Sequence, residues 1–225
     1  MLKAVIFDFD GVIVDTEPLH YQAFQEILVP LGMGYSWQEY VEHYMGFDDR
    51  DAFKESFLSV GRELSQERLH ELIDAKAAAF HRVVAGGVPP YAGVVELIRE
   101  LSGTVPLGLC SGALLSDIEP ILSQLGLQSS FDAMVTADQV AASKPDPESY
   151  RVTLARLQEL FPENGVTPSE TLAIEDTPAG ILSATGAGAQ VLAVTNSYPP
   201  DRLSGACKVV ESLAGIDLRG LRLLL

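Results

Sequence analysis

Cysteine is nearly absent from this 225-residue chain. Cys110 and Cys207 are too few and too isolated for a disulfide framework or a zinc site, so reduced thiols are expected. Basic residues are scarce as well, with 15 Lys and Arg against 31 Asp and Glu, for a formal net charge of -16. No stretch pools enough cations to neutralise a run of phosphates, which argues against nucleic acid and against an anionic membrane as partners. A small phosphorylated ligand is not excluded, because it needs only one local positive site and a metal ion. Long hydrophobic runs are missing too. Met1-Leu2-Lys3 leads into an apolar run that Asp8 interrupts, with no signal-peptide core and no membrane-length segment, so a cytoplasmic location is expected. Internal repeats and low-complexity segments are absent. Ala184 to Val191, ATGAGAQV, is rich in glycine but lacks the G-x-G-x-x-G spacing, and it precedes an apolar run instead of following one.

What the chain does have is apolar core. At 47% hydrophobic residues it can bury a substantial interior as one domain or as a domain carrying an insertion. Short apolar runs at 3–9, 105–110, 133–136, 171–174 and 190–195 have the composition of strands buried on both faces. Helix patterns at 91–101, 114–126 and 148–161 separate the later ones. Strands alternating with helices predict an α/β fold with a parallel sheet covered on both sides. Asp146-Pro147 fits a helix N-cap followed by proline in the first helical position, and Gly103 and Gly126 fit helix stops.

Residues 17–86 break the alternation. Segments 19–29, 36–44, 49–60 and 65–84 all read as helix, with a capping-box pattern at Ser36-Trp-Gln-Glu39. In the last segment Leu69, Leu72, Ile73, Phe80, Val83 and Val84 approximate one apolar face. The chain therefore divides into an α/β core, 1–16 and 87–225, and an all-helical insertion, 17–86, with Gly86 to Gly93 as the return linker.

The chemistry gathers where strands end. Asp8 and Asp10 follow the most apolar run, and on a pleated strand they would point to one side, about 6–7 Å apart. Their repulsion at an effective dielectric of about 20 is on the order of 2–3 kcal/mol. Glu175-Asp176 ends the run at 171–174 and adds two more carboxylates. Ligands of open parallel sheets bind outside the carboxyl ends of the strands, so all four acids are expected in one crevice. A hard divalent cation offsets that crowding, and Mg2+ suits it because it takes a few carboxylates and keeps water or phosphate oxygens. Ser111-Gly112, after the run at 105–110, offers a hydroxyl and a backbone N–H to phosphate oxygens. Lys144, braced by Pro145 ahead of a helix start, offers a cation to the same crevice. Alone, a Ser-Gly pair is an ordinary turn and a lysine an ordinary surface residue; the combination, one element per strand end, is far more specific.

Asp8-Phe-Asp10-Gly-Val-Ile-Val-Asp-Thr-Glu17, Ser111, Lys144-Pro-Asp-Pro and Glu175-Asp176-Thr-Pro-Ala-Gly180-Ile together resemble the motifs of the haloacid dehalogenase superfamily, in its phosphatase and phosphomutase branch with a helical cap inserted after the first motif. The resemblance implies a Rossmann-like core with that cap. It implies that Asp8 is the nucleophile that forms an aspartyl-phosphate, and that Asp10 is the general acid and then base. Ser111, Gly112 and Lys144 would bind the phosphoryl group. Mg2+ would sit on Asp8, the backbone carbonyl of Asp10, and Asp176, with Glu175 in support. In the cap it points to His20, Gly46, Arg50 and Lys76 as substrate-side residues. His20 fits a structural role equally well, and Lys76 fits an exposed helix position. Arg50 departs from the beta-phosphoglucomutase pattern, where an arginine follows the loop glycine more closely. Asp10 and Lys144 argue against carbon–halogen hydrolysis. The expected activity is a Mg2+-dependent phosphatase on a small phosphorylated metabolite, acting as a monomer. The alternatives are a phosphomutase and a phospho-acceptor module without turnover, like a signalling receiver domain.

Overall fold

The computed structural model describes residues 1–45 and 47–224, and its chain divides into two compact units, one of residues 1–15 and 89–225 and one of residues 16–88. The first is a sheet unit. Its strands are β1 (Ala4–Phe7), β2 (Leu107–Cys110), β3 (Ala133–Val135), β4 (Thr171–Glu175), β5 (Gln190–Val194) and β6 (Lys208–Val210). They pair in the order β3-β2-β1-β4-β5-β6, every pair parallel. The chain runs from β1 to one side through β2 and β3, then crosses to the other side for β4, β5 and β6. The order reverses between β1 and β4, the place where an open parallel sheet forms its ligand crevice.

Both faces of the sheet are buried, so the central strands are apolar throughout: Ala4, Val5, Ile6 and Phe7 in β1 and Leu107 and Leu109 in β2 have no exposed surface. Helices α5 (Val94–Leu101), α6 (Leu115–Leu125), α7 (Glu148–Leu160), α8 (Pro178–Gly186) and α9 (Leu218–Arg222) belong to the same unit. α7 buries Tyr150, Leu154 and Leu157, three residues spaced along one helical face, in a cluster with Ile6, Ala173 and Ile181. Where the chain leaves the sheet unit and where it returns, it pairs with itself: the Tyr91 N–H donates to the Ile13 carbonyl at 2.9 Å, and Val14 bridges Pro90.

Three local expectations change. β1 ends at Phe7 and not at Phe9, because the chain turns at once: the Ile13 N–H donates back to the Phe9 carbonyl at 2.8 Å. Strand alternation therefore does not govern Asp8 and Asp10. Pro147 occupies the N-cap of α7 and not its first turn, while the Asp146 carboxylate accepts from the Glu148 N–H at 2.9 Å. β6 and α9, which the apolar pattern did not announce, are too short for periodicity to register.

The second unit is helical: α1 (Glu17–Leu28), α2 (Trp37–His43), α3 (Asp49–Ser59) and α4 (Gln66–Val84). Ser36 forms the expected reciprocal capping box with Glu39, and Asp48 and Ser65 cap α3 and α4 with side-chain acceptors. The unit has its own core, built on Phe24, Leu28, Tyr40, Phe53, Leu69 and Leu72. Among the described residues no helix is long and apolar enough to cross a membrane.

Candidate active site at the strand ends

Register explains why the acids meet. Phe7 lies opposite Ile174 of β4 and Leu109 of β2. One residue further along, Asp8 therefore stands between Glu175 and Cys110, with neighbouring strands about 4.8 Å apart. The Asp8 N–H still donates to the Ile174 carbonyl at 3.0 Å, which holds Asp8 in line after the strand itself has ended. Oxygens of Asp8, Glu175 and Asp176 all lie within 4.8 Å of one another, and all three residues are buried. The Asp10 carboxylate is outside that group of side-chain oxygens; it lies near Ser111, whose hydroxyl donates to Asp10 Oδ2 at a long 3.4 Å.

Lys144 enters the cluster from the loop before α7. Its Nζ donates to Asp8 Oδ1 at 2.7 Å and to Glu175 Oε1 at 2.6 Å, and more weakly to the Cys110 carbonyl at 3.3 Å. Its side chain is only 9% exposed, which rules out an ordinary surface lysine. The loop is pinned on both flanks. Glu148 Oε2 accepts from the N–H groups of Ala141 and Ala142 at 3.0 and 2.8 Å, and Ser183 Oγ donates to the Asp146 carbonyl at 2.6 Å. The Lys144-Pro145 peptide is cis.

The electrostatics are lopsided. Burial pushes the Asp8 carboxyl up to about 8, against the pull of Lys144, and the charges of Glu175 and Asp10 push the same way as burial. Burial also works against the Lys144 ammonium, but Asp8 and Glu175 outweigh it and hold Lys144 well above the usual lysine range. Lys144 is thus a cation, one ammonium set against the clustered acid groups of Asp8, Glu175 and Asp176, and Asp8 keeps its proton up to about pH 8.

Of the other expected residues, Ser111 is buried at the end of β2 and its Oγ accepts from the Ala113 N–H at 3.0 Å. Gly112 is adjacent, but α6 begins only at Leu115, so the Ser-Gly pair sits in a short loop and not at a helix N-terminus. In the helical unit, Lys76 has no exposed surface. Its Nζ lies 2.8 Å from Asp49 Oδ1 and 2.8 Å from His20 Nδ1, near the Phe24 and Phe80 rings, and the His20 ring stacks on Phe80. The exposed-helix alternative for Lys76 is thereby overturned. Arg50 donates to Asp48 Oδ2 from Nε at 2.8 Å and from Nη2 at 2.5 Å. Gly46 lies outside the described residues.

Sequence reasoning missed three residues of the sheet unit. The Tyr150 hydroxyl donates to Glu175 Oε1 at 2.8 Å, and the Lys144 ammonium lies 5.2 Å from its ring centre. Ser197 Oγ donates to Asp176 Oδ2, and Asn196 Nδ2 donates to the Gly11 carbonyl at 2.6 Å. Asn196 and Ser197 follow β5, so the strand-end rule that found the others would have found them too. Gly180 matters for a different reason: a Cβ there would fall 2.0 Å from the Glu175 carboxyl group, so only glycine lets α8 start against that acid.

Residues 5–194 match the haloacid dehalogenase-like hydrolase family. The chain belongs to that family. It is a haloacid dehalogenase-like hydrolase, and the parallel sheet with its strand-end acids is that family's fold. Fructose-1-phosphate phosphatase YqaB of Escherichia coli is 30% identical over 186 residues, covering 82% of this chain and 92% of that one. Beta-phosphoglucomutase of Bacillus subtilis is 27% identical over 222 residues, covering 96% and 92%. The crystal structure of CbbY from Rhodobacter sphaeroides in complex with phosphate superposes with a TM-score of 0.86 at 26% identity, covering 99% of this chain and all of that one.

Proposed function

We propose that this chain is a Mg2+-dependent phosphatase that hydrolyses a small phosphorylated metabolite, a sugar phosphate or related phosphoester, through an aspartyl-phosphate. The observation that carries this reading is the Lys144 ammonium held between Asp8 and Glu175 beside a third buried acid. The donor set fits the ion: carboxylate oxygens, all hard ligands, crowded enough to need a second positive charge. Asp8, Asp176 and the backbone carbonyl of Asp10 would hold it, with Glu175 supporting directly or through water. Bound there, Mg2+ neutralises charge on the transferring phosphoryl group and keeps Asp8 ionised.

The remaining steps belong to the chain. An Asp8 oxygen attacks phosphorus; the Asp8 O–P bond forms and the ester P–O bond breaks. Asp10 gives its proton to the leaving alkoxide, then takes one from the water that attacks the aspartyl-phosphate, which frees phosphate and the Asp8 carboxylate. Ser111, the Gly112 N–H and Lys144 hold the phosphoryl oxygens, and Lys144 fixes the rotation of the Asp8 carboxylate. Catalysis of this kind is mostly positioning and charge neutralisation, which is what the strand ends supply. The helical unit serves as the cap that selects the substrate, with His20, Gly46, Arg50 and Lys76 as its proposed contributors.

Support for a phosphorylated carbohydrate comes from the names of the relatives, a fructose-1-phosphate phosphatase among them. The similarity to a beta-phosphoglucomutase favours a second reading, in which a substrate hydroxyl replaces water as acceptor. A panel of phosphometabolites with Mg2+, scored for inorganic phosphate and for isomerised product, separates the two. Phosphate release is expected; isomerisation without release overturns the hydrolase reading, and neither product from any sugar phosphate overturns both.

A further inference from the structure

The end of β5 holds two polar side chains that the proposed chemistry does not use. Ser197 donates to Asp176, and Asn196 donates to the backbone carbonyl of Gly11, in the turn that follows Asp10. That turn requires glycine: Gly11 has φ +77°, and a Cβ there would fall 1.9 Å from Asp176 Oδ2 and 2.9 Å from Ser197 Oγ. The Asp10 turn, the β4-end aspartate and the β5-end serine are therefore in direct contact. The segment that delivers them is fixed as well, since the Thr195 N–H donates to the Val210 carbonyl at the end of β6.

We propose that Asn196 and Ser197 are positioning residues for the divalent cation: Ser197 sets the orientation of the Asp176 carboxylate, and Asn196 sets the turn that carries the Asp10 carbonyl. The inference rests on the proposed Mg2+ site. A hydroxyl bonded to one carboxylate oxygen fixes the rotation of the whole group, and partners of this kind, behind the ligands themselves, commonly alter metal affinity by about 10–100-fold when removed. Asn196 restrains the opposite side of the same contact through the backbone. Neither residue needs to touch the substrate.

The test is calorimetric titration of Mg2+ into the metal-stripped full chain, without substrate, for wild type, Ser197→Ala, Ser197→Thr and Asn196→Ala, with circular dichroism confirming each fold. The expected result is a dissociation constant raised about 10–100-fold in Ser197→Ala, a smaller rise in Asn196→Ala, and recovery in Ser197→Thr, which keeps the hydroxyl. In turnover assays the substrate KM at saturating Mg2+ stays at the wild-type value, and the lost rate returns as Mg2+ is raised. Wild-type affinity in Ser197→Ala overturns this inference and leaves the proposed function standing. A wild-type chain that binds no Mg2+ overturns both.

Discussion

In the helical unit the buried Lys76 ammonium meets the Asp49 carboxylate, and Asp48 meets the Arg50 guanidinium, so each charge has an opposite beside it. In the sheet unit the Lys144 ammonium is shared by Asp8 and Glu175, with Asp176 in the same cluster. The first arrangement balances within the protein: the Lys76–Asp49 pair joins α4 to α3, and the Arg50–Asp48 pair stays at the start of α3. The second leaves an excess of negative charge at the carboxyl ends of β1 and β4, which a bound cation and a phosphate would complete. Burial alone therefore does not mark a catalytic charge. The sign of what is left over does.

The difference can be broken most sharply at Asp8. Asp8→Asn is expected to lower phosphate release by at least about 10^4-fold, as for the loss of a covalent nucleophile, in a steady-state assay. Denaturant unfolding of the metal-free variant near neutral pH should show no loss of stability, because burial pushes Asp8 up to about 8 and the neutral amide replaces a carboxyl group that is already largely protonated there. Asp49→Asn in the helical unit should do the opposite. It strands the Lys76 charge in the interior, and the urea midpoint should fall by an amount equivalent to about 3–5 kcal/mol. Equal destabilisation by both variants would erase the contrast.

Mg2+ supplies a milder probe. At 100 times its dissociation constant it should stabilise the metal-stripped wild type by about 2.7 kcal/mol. In a chain of this size that is a rise of about 5–10 °C in the thermal midpoint, and Asp176→Asn should abolish it. The smallest effect is expected from Tyr150→Phe. Losing the hydrogen bond to Glu175 should cost about 1.5 kcal/mol of stability by chemical denaturation, and kcat should fall more than KM changes, because Glu175 and Lys144 lose a shared restraint.

Much of the sheet was legible because strands buried on both faces are apolar runs, and β1 to β5 each contain one. β6 was not, since Lys208-Val-Val210 is three residues long and partly exposed at the sheet edge. The charged residues at the candidate site could be found from strand ends, where carboxylates and a lysine stand out against apolar neighbours. Tyr150 could not, because it lies inside α7 and its uncharged hydroxyl gains meaning only from its contact with Glu175, a residue distant in sequence. Lys76 was ambiguous for a similar reason: among the alanines of α4 it has the look of a solvent-facing residue. Asp49, His20 and two phenylalanines, three of them from other helices or turns of the unit, bury it.

The central claim is that the charge gathered at the strand ends turns Asp8 into the phosphoryl acceptor. Rapid acid quench during turnover of a sugar phosphate with Mg2+, followed by mass spectrometry of the digested protein, tests it directly. The account predicts a phosphoryl group on the peptide bearing Asp8, formed and lost at rates that match turnover and absent from Asp8→Asn. Phosphate release that proceeds with no phosphorylated Asp8, or that persists in Asp8→Asn, would contradict it.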